Sequence, residues 1–465
     1  MLYPPRLPLW AVPASSRPSR LLPTLHLTVP FVLLFDLGIL TTFTLILLTL
    51  PFAYLPPTRL AYLAAGKATF GRVLTLMVQW FSPTELVISA GEGIDAAKLV
   101  ERDQDGRVRK VNLPTKGVWI SNHTTLADWL YLWDFAYLAD HSSSIYIALK
   151  SSLRQIPIIG WAASWFGFIF LERRWALDRA PFRRQLKRIA QETNRGGKDQ
   201  KLALLIFPEG TIVTANTRGI SSKFAEKTAV SDYEHVLLPR STGLFFALRQ
   251  LAPSIPNLSL VDLTVGYPLP RRSPPADGKP ASPLYASDYY TLPSILLSHV
   301  PPPELHVHIR AFPVSSIPLG DLSTMEHNPD DEGSEEEKRA FEEWLRKRWE
   351  EKDQLMERFR TKGSFLEEPR SHGSRGAAEQ DEDEDDEDER RPGEHVWPIR
   401  LRHPLEPLLA FSLFLPFLAL YGIWRGRWVA AGLLVSGLRY AVGRGGEAAA
   451  TKSCGCGKMV VKTDL

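Results

Sequence analysis

The chain has 465 residues, 44% hydrophobic and 23% charged, with a formal net charge of +3. That length accommodates two or three domains, or one large domain with additions. Its two cysteines, Cys454 and Cys456, share the terminal run SCGCGK, which excludes a disulfide framework or a Cys-rich zinc site.

Residues 1–27 read as a tail. The run FVLLFDLGILTTFTLILLTLPFAYL that follows, 31–55, exceeds the roughly 20 apolar residues a bilayer requires, so 28–55 is assigned to a transmembrane helix. Its apolar core is longer and lies deeper than that of a cleaved leader. Asp36 is costly there unless it sits near an interface or pairs within protein. Arg6, Arg17 and Arg20 precede this helix and Arg59, Lys67 and Arg72 follow it, so the positive-inside rule leaves its orientation open.

Residues 80–320 form the expected folded domain. TELVISAGEGI reads as a strand, LVERDQDGRVRKVNL as a hairpin turning at Asp105-Gly106, and GVWIS as a short buried strand. LADWLYLWDFAYLA has helical periodicity, IYIALK is a strand, and APFRRQLKRIAQET is a basic amphipathic helix. KLALLIF is a wholly apolar strand stopped by Pro208, and LSLVDLTVGYP and ELHVHIRAF complete the set. Alternating strands and helices predict an α/β fold, a mostly parallel sheet flanked by helices. Residues 340–361 read as a charged amphipathic helix and 362–398 as an acidic disordered linker containing DEDEDDEDE. Without that linker the chain is basic, which admits nucleic acid or anionic lipid as partner. The apolar segments at 405–442, with Trp424 and Trp428 flanking a basic turn, decide for membrane lipid and against nucleic acid. They are read as C-terminal membrane segments, and 443–465 as a tail.

Within the domain, ISNHTTLADW places His123 five residues before Asp128, at a strand-to-helix turn. A histidine backed by a carboxylate can activate a hydroxyl, the carboxylate fixing the tautomer and stabilising the imidazolium. The alternative is that Asp128 serves the helix start while His123 is an ordinary loop residue. The run IFPEGT ends an apolar strand at Pro208, gives Gly210 a tight turn, and projects Glu209 and Thr211 at the carboxyl end, where open α/β sheets bind ligands. GFIFLERR ends an apolar segment in an arginine pair, and Arg173 suits phosphate through its planar fork. Lys150 and Arg154 point the same way, or merely snorkel at a membrane edge. GEGIDA mimics a dinucleotide loop but leads into the hairpin, and no G-x-S-x-G elbow is present. His306 and His308 share a strand face without an evident third metal ligand.

In order and spacing, NHx4D, GFIFLER, FPEGT and VLLPRSTG resemble the four blocks of the glycerolipid (phospholipid/glycerol) acyltransferase family. NTRGISSKFAEK, YEHVLLPRSTG and KRWEEKDQLMERF resemble its lysocardiolipin/lysophosphatidylinositol acyltransferase branch. The resemblance implies a glycerol-phosphate acyltransferase-like fold with N- and C-terminal membrane helices, in the endoplasmic reticulum membrane. It implies His123 as general base and Asp128 as its orienter. Arg173, Glu209, Gly210, Thr211 and Pro239 would contact the acceptor, with Glu209 ordering Arg173 or an acceptor hydroxyl. Acyl-CoA would be the acyl-donor substrate and a lysophospholipid the acceptor, with neither cofactor nor metal. Ile212 stands where many members carry arginine, which favours a phosphodiester acceptor unless Arg218 or Arg240 fills that place. A lysophosphatidic acid acyltransferase, a lipid hydrolase and a non-catalytic membrane interaction protein remain as alternatives.

Overall fold

A computed structural model describes residues 8–18, 21–49, 56–156, 159–195, 200–270, 283–323, 332–367 and 392–411. The acidic run 381–389, all but the first seven residues of the membrane segments expected over 405–442, and the Cys454/Cys456 tail lie outside the described residues. Met1–Ala410 make one unit and Phe411–Leu465 another.

The first long helix, α1, spans Leu21–Thr49, earlier in the chain than its hydropathy alone suggested. Its stretch Thr24–Thr44 is long and apolar enough to cross a membrane, alone in this among the described helices. Helix α2, Pro56–Phe81, follows, and its mixed composition gave no single periodic face to read. It packs into the domain through Leu74 and Val78, and the Thr75 hydroxyl donates to Asp134 Oδ1 at 2.9 Å.

The strands run β1 (Glu85–Ala90), β2 (Val100–Arg102), β3 (Val108–Val111), β4 (Lys116–Ser121), β5 (Ile145–Lys150), β6 (Ile169–Leu171), β7 (Leu202–Ile206), β8 (Ser259–Gly266), β9 (Glu304–Pro313) and β10 (Glu394–Pro398). The helices after α2 are α3 (Asp128–Leu138), α4 (Ile159–Trp165), α5 (Trp175–Arg195), α6 (Ala215–Thr228), α7 (Ser241–Leu251), α8 (Ala286–Tyr289), α9 (Leu292–Leu296), α10 (Glu335–Lys362) and α11 (Glu406–Ala410). Strands β2 and β3 pair as the expected hairpin, with Gly106 at φ +77° in its turn. The other eight form one sheet in the order β10-β1-β9-β8-β4-β7-β5-β6. Only β8–β9 and β1–β10 pair antiparallel within it. The sheet is therefore mixed, mostly parallel and flanked by helices. Strand β10 corrects the expectation that 362–398 is linker throughout: Glu394–Pro398 extend the edge beyond β1.

Period-two alternation explains why helices cover both faces. Trp119, Ala203, Leu205, Val261 and Leu263 point into a core shared with α2 and α3. Val118, Ile120, Leu202, Leu204, Ile206 and Leu260 point into a second core with α5, α7 and α10. Strands buried on both sides read as continuous apolar runs, as LALLI does. Because β4 to β8 are mutually parallel, their carboxyl ends lie along one edge, and every block of the sequence signature hangs from it.

Candidate active site

The turn after β4 is built around one carboxylate. Asp128, the first residue of α3, is fully buried. Its Oδ2 accepts from His123 Nδ1 at 2.9 Å, Thr124 N at 2.7 Å and Thr125 N at 3.1 Å. Its Oδ1 accepts from the Thr125 hydroxyl at 3.0 Å and from the Tyr267 hydroxyl at 2.7 Å. Burial and the adjacent Asp128 charge push the Tyr267 phenol well above its ordinary range, so it remains a donor. Orienting the histidine and serving the helix start are thus one arrangement: the same carboxylate ties down the turn and accepts the imidazole N–H. With the carboxylate as acceptor Nδ1 is the donor, and in the neutral imidazole Nε2 then carries the lone pair. The His123 side chain is 16% exposed, whereas Asp128 behind it is sealed from solvent.

Two residues beside His123 carry signals that sequence reading passed over. Asn122 is fully buried, and its amide pairs with the Val265 backbone, donating to the carbonyl at 2.9 Å and accepting from N–H at 2.8 Å. It continues the β4–β8 ladder through a side chain and so pins the turn to the sheet. Phe207, at the end of β7, stacks on the imidazole with centroids 4.2 Å apart and planes 24° from parallel. The FPEGT loop is held to the histidine loop by Val213 N donating to His123 O at 2.9 Å.

The β6–α5 turn presents Arg173 in a left-handed conformation, φ +61°, rare for a residue with a Cβ. Its cause is Asp178 of α5, whose two oxygens accept from the backbone N–H of Glu172 at 2.7 Å and of Arg174 at 2.9 Å, fixing both neighbours. Burial, and after it the positive charge of Arg240 from the VLLPRSTG block, depress the Arg173 pKa. The backbone N–H of Arg240 donates to Pro208 O at 2.9 Å, which brings that block and half-buried Pro239 against the FPEGT turn. Gly210, at φ +72°, forms that turn, and an added Cβ would lie 3.6 Å from Arg240 Nε. Arg240 thus supplies beside this turn the cation that Ile212 does not. Arg218 is engaged elsewhere, on Val236 O at 2.7 Å and Asp232 at 2.8 Å. Two guanidiniums so close repel unless an anion lies between them.

Of the two roles expected for Glu209, ordering Arg173 or an acceptor hydroxyl, the first has no direct contact behind it: no hydrogen bond or ion pair joins Glu209 to Arg173. It is 3% exposed, and burial raises its carboxyl pKa to about 8. The N–H groups of Leu237 and His123, the Trp349 indole and the Lys352 ammonium face it and favour its charge, yet none closes to hydrogen-bond geometry. Thr211, the next residue but one, is half-buried at the site's edge.

Helix α10 backs these loops. Lys352, wholly buried, donates to Asp262 at 2.5 Å, Leu263 O at 2.8 Å and Thr264 at 3.1 Å along β8. Asp353 accepts from the backbone N–H of Glu234, His235 and Val236 and so holds the approach to Pro239. Among the described residues only Glu234, His235 and Glu357 bring three ligand atoms within 4.8 Å of one another, and there His235 Nε2 already meets Glu357 at 2.6 Å. His306 and His308 have separate partners, Glu304 and Ser89, rather than a shared metal position.

A family model described as acyltransferase matches residues 107–267, which include all four blocks, and one described as acyltransferase C-terminus matches 329–379, which include α10. An uncharacterised acyltransferase of Schizosaccharomyces pombe is 30% identical over 352 residues, 76% of this chain and 83% of that protein. The 2-acyl-1-lysophosphatidylinositol acyltransferase of Saccharomyces cerevisiae is 34% identical over 57% of this chain and 66% of its own length. Lysocardiolipin acyltransferase 1 of Gallus gallus is 34% identical over 54% of this chain and 56% of its own.

Proposed function

The chain belongs to the acyltransferase family, and from that premise we propose that it moves a fatty acyl group from acyl-CoA to the free glycerol hydroxyl of a lysophospholipid. The observation that carries the reading is the His123 Nδ1–Asp128 hydrogen bond, which leaves Nε2 to face substrate, on the same sheet edge as the Arg173/Arg240 pair. The arginines take the acceptor's phosphate and set its hydroxyl against Nε2. His123 removes the hydroxyl proton as the oxygen attacks the thioester carbonyl, and Asp128 stabilises the imidazolium. Collapse of the tetrahedral intermediate breaks the carbon–sulfur bond, and the imidazolium returns its proton to the leaving thiolate. The balance is one ester formed and one thioester broken, with no other reactant. Phe207 shields one face of the imidazole from water while the other stays open to the acceptor.

The acceptor is a lysophospholipid of the lysophosphatidylinositol or lysocardiolipin type, acted on in a membrane of the endoplasmic reticulum. Similarity to relatives with those names supports this headgroup class. The missing arginine at Ile212 does not, because Arg240 supplies the second cation that a phosphate monoester would need. The test is kcat/KM for lysophosphatidylinositol, lysocardiolipin and lysophosphatidic acid with one acyl-CoA, on purified wild type and His123→Ala. Release of free fatty acid in place of acylated phospholipid would identify a hydrolase, and no His123-dependent product would sink the enzyme reading.

A further inference from the structure

Large apolar side chains are normally exposed singly and at random over a surface. Between β4 and β8 they follow the topology. Leu126 lies after β4, Ile159 and Trp161 after β5, Leu177 after β6, and Ile220 and Phe224 after β7, each 51% to 60% exposed. All six belong to segments that leave the carboxyl edge of the sheet, the edge that carries His123, Arg173 and Gly210. The opposite edge differs: the α3–β5 and α7–β8 connections, both described throughout, expose no large hydrophobic side chain. Burial within the domain cannot explain this one-sidedness, because these residues point away from both cores.

Charge on this edge is mainly positive. From Lys150 to Leu177 and along α6 the exposed cations are Lys150, Arg154, Arg173, Arg174, Lys223 and Lys227, while the exposed carboxylates are Glu172 and Glu226. On α6 the two features interleave. Ile220 and Phe224 are four residues apart, as are Lys223 and Lys227, so an apolar ridge and a basic ridge run side by side. Gly219 leaves the approach to that ridge open. Helix α6 is coupled directly to the chemistry: Thr214 caps it, and Val213, one residue earlier, holds the His123 carbonyl. The Ser287 hydroxyl of α8 donates to Val213 O at 3.1 Å, and α8 is tied in turn to Arg17, just ahead of α1. The apolar helix and the catalytic loops therefore share one chain of contacts.

We propose that the carboxyl edge of the sheet is a membrane-contact face that lies on an anionic phospholipid leaflet, with α6 as its interfacial helix. Apolar side chains enter the acyl boundary, while lysines and arginines remain among the headgroup phosphates. An acceptor lipid then reaches Nε2 without leaving its leaflet. The choice of lipid as occupant rests on the lipid-acyltransferase reading above.

The test uses the full chain with Cys454 and Cys456 replaced by serine, reconstituted in phosphatidylcholine vesicles with and without phosphatidylserine. A bimane label is placed in turn on Trp161→Cys, Phe224→Cys and, as opposite-edge control, Ser254→Cys, and lipids brominated in the upper acyl chain serve as quenchers. Quenching is expected at positions 161 and 224, stronger with phosphatidylserine and weakened by salt, with little at 254. Equal or absent quenching at all three positions would overturn the proposal. Labels already shielded in detergent, with doubled mass, would assign the face to a second copy and overturn it too. Separately, Ile220→Ser/Phe224→Ser should lower kcat/KM for a bilayer-embedded lysolipid by roughly tenfold. Turnover of a short-chain lysolipid dispersed as monomers should stay at the wild-type level; loss with both acceptors would place these residues in folding instead. If wild type transferred no acyl group at all, the enzymatic reading would fall while the quenching still decided the docking face.

Discussion

Replacing Glu209 by glutamine should make the protein more resistant to alkaline conditions. The carboxyl titrates near 8 in the fold against an ordinary value of 4.5. Between those values the folded state holds a proton that the unfolded chain has already lost, so stability is highest below the lower value and falls as pH rises toward the upper one. Each unit of displacement corresponds to about 1.4 kcal/mol, so the whole window is worth about 5 kcal/mol, of which about 3 kcal/mol is lost between pH 6 and 9. A glutamine side chain is neutral throughout and keeps the same volume, so the variant lacks this fall. For a domain of this size that is roughly 5–10 °C in Tm. The assay is thermal unfolding of wild type and Glu209→Gln in one detergent, followed by tryptophan fluorescence, with Tm plotted against pH. The advantage of the variant should open from pH 6 to 9. Parallel curves would show that Glu209 is ionised across the range and that its neighbours on α10 already satisfy its charge.

His123→Ala should reduce acyl transfer by about 10²–10⁴-fold with the fold retained, whereas Asp128→Asn should also lower Tm, because Asp128 holds the Thr124 and Thr125 amides as well as the imidazole. A normal Tm for the Asp128 variant would refute its role in building the turn. Arg173→Gly should relieve a left-handed conformation worth about 1 kcal/mol, so Tm holds or rises while KM for the acceptor increases and KM for acyl-CoA does not. Lys352→Met, which leaves Arg310 alone to pair with buried Asp262, should destabilise by about 1–3 kcal/mol, read as a loss of Tm at neutral pH. With His123 acting as base on the acceptor itself, initial-rate patterns should be sequential, and no acyl group should be trapped on the domain during turnover.

The amino-acid sequence by itself determined the local matters. Strands were readable where apolar runs met Gly, Pro or Asp-Gly punctuation, and KLALLIF and LSLVDLTVGYP are of that kind. The His123/Asp128 spacing, the FPEGT turn and the arginine of GFIFLERR were equally legible, because each is a short segment whose chemistry sits within a few residues. Strand β6 and helices α2, α6 and α7 were not separated out, since β6 is three residues long, α2 and α6 lack a clean apolar stripe, and α7 is a short helix buried from Leu244 to Arg249. What only the tertiary structure decided depends on residues far apart in the chain. Val265 is what Asn122 pairs with, Arg240 is what stands beside Gly210, and Trp349 and Lys352 of α10 are what Glu209 faces. A carboxylate in EGT reads as a ligand contact when its surroundings are unknown. Its burial under a helix that comes much later in the chain is what raises its pKa, because that desolvation comes from neighbours that no local pattern can supply.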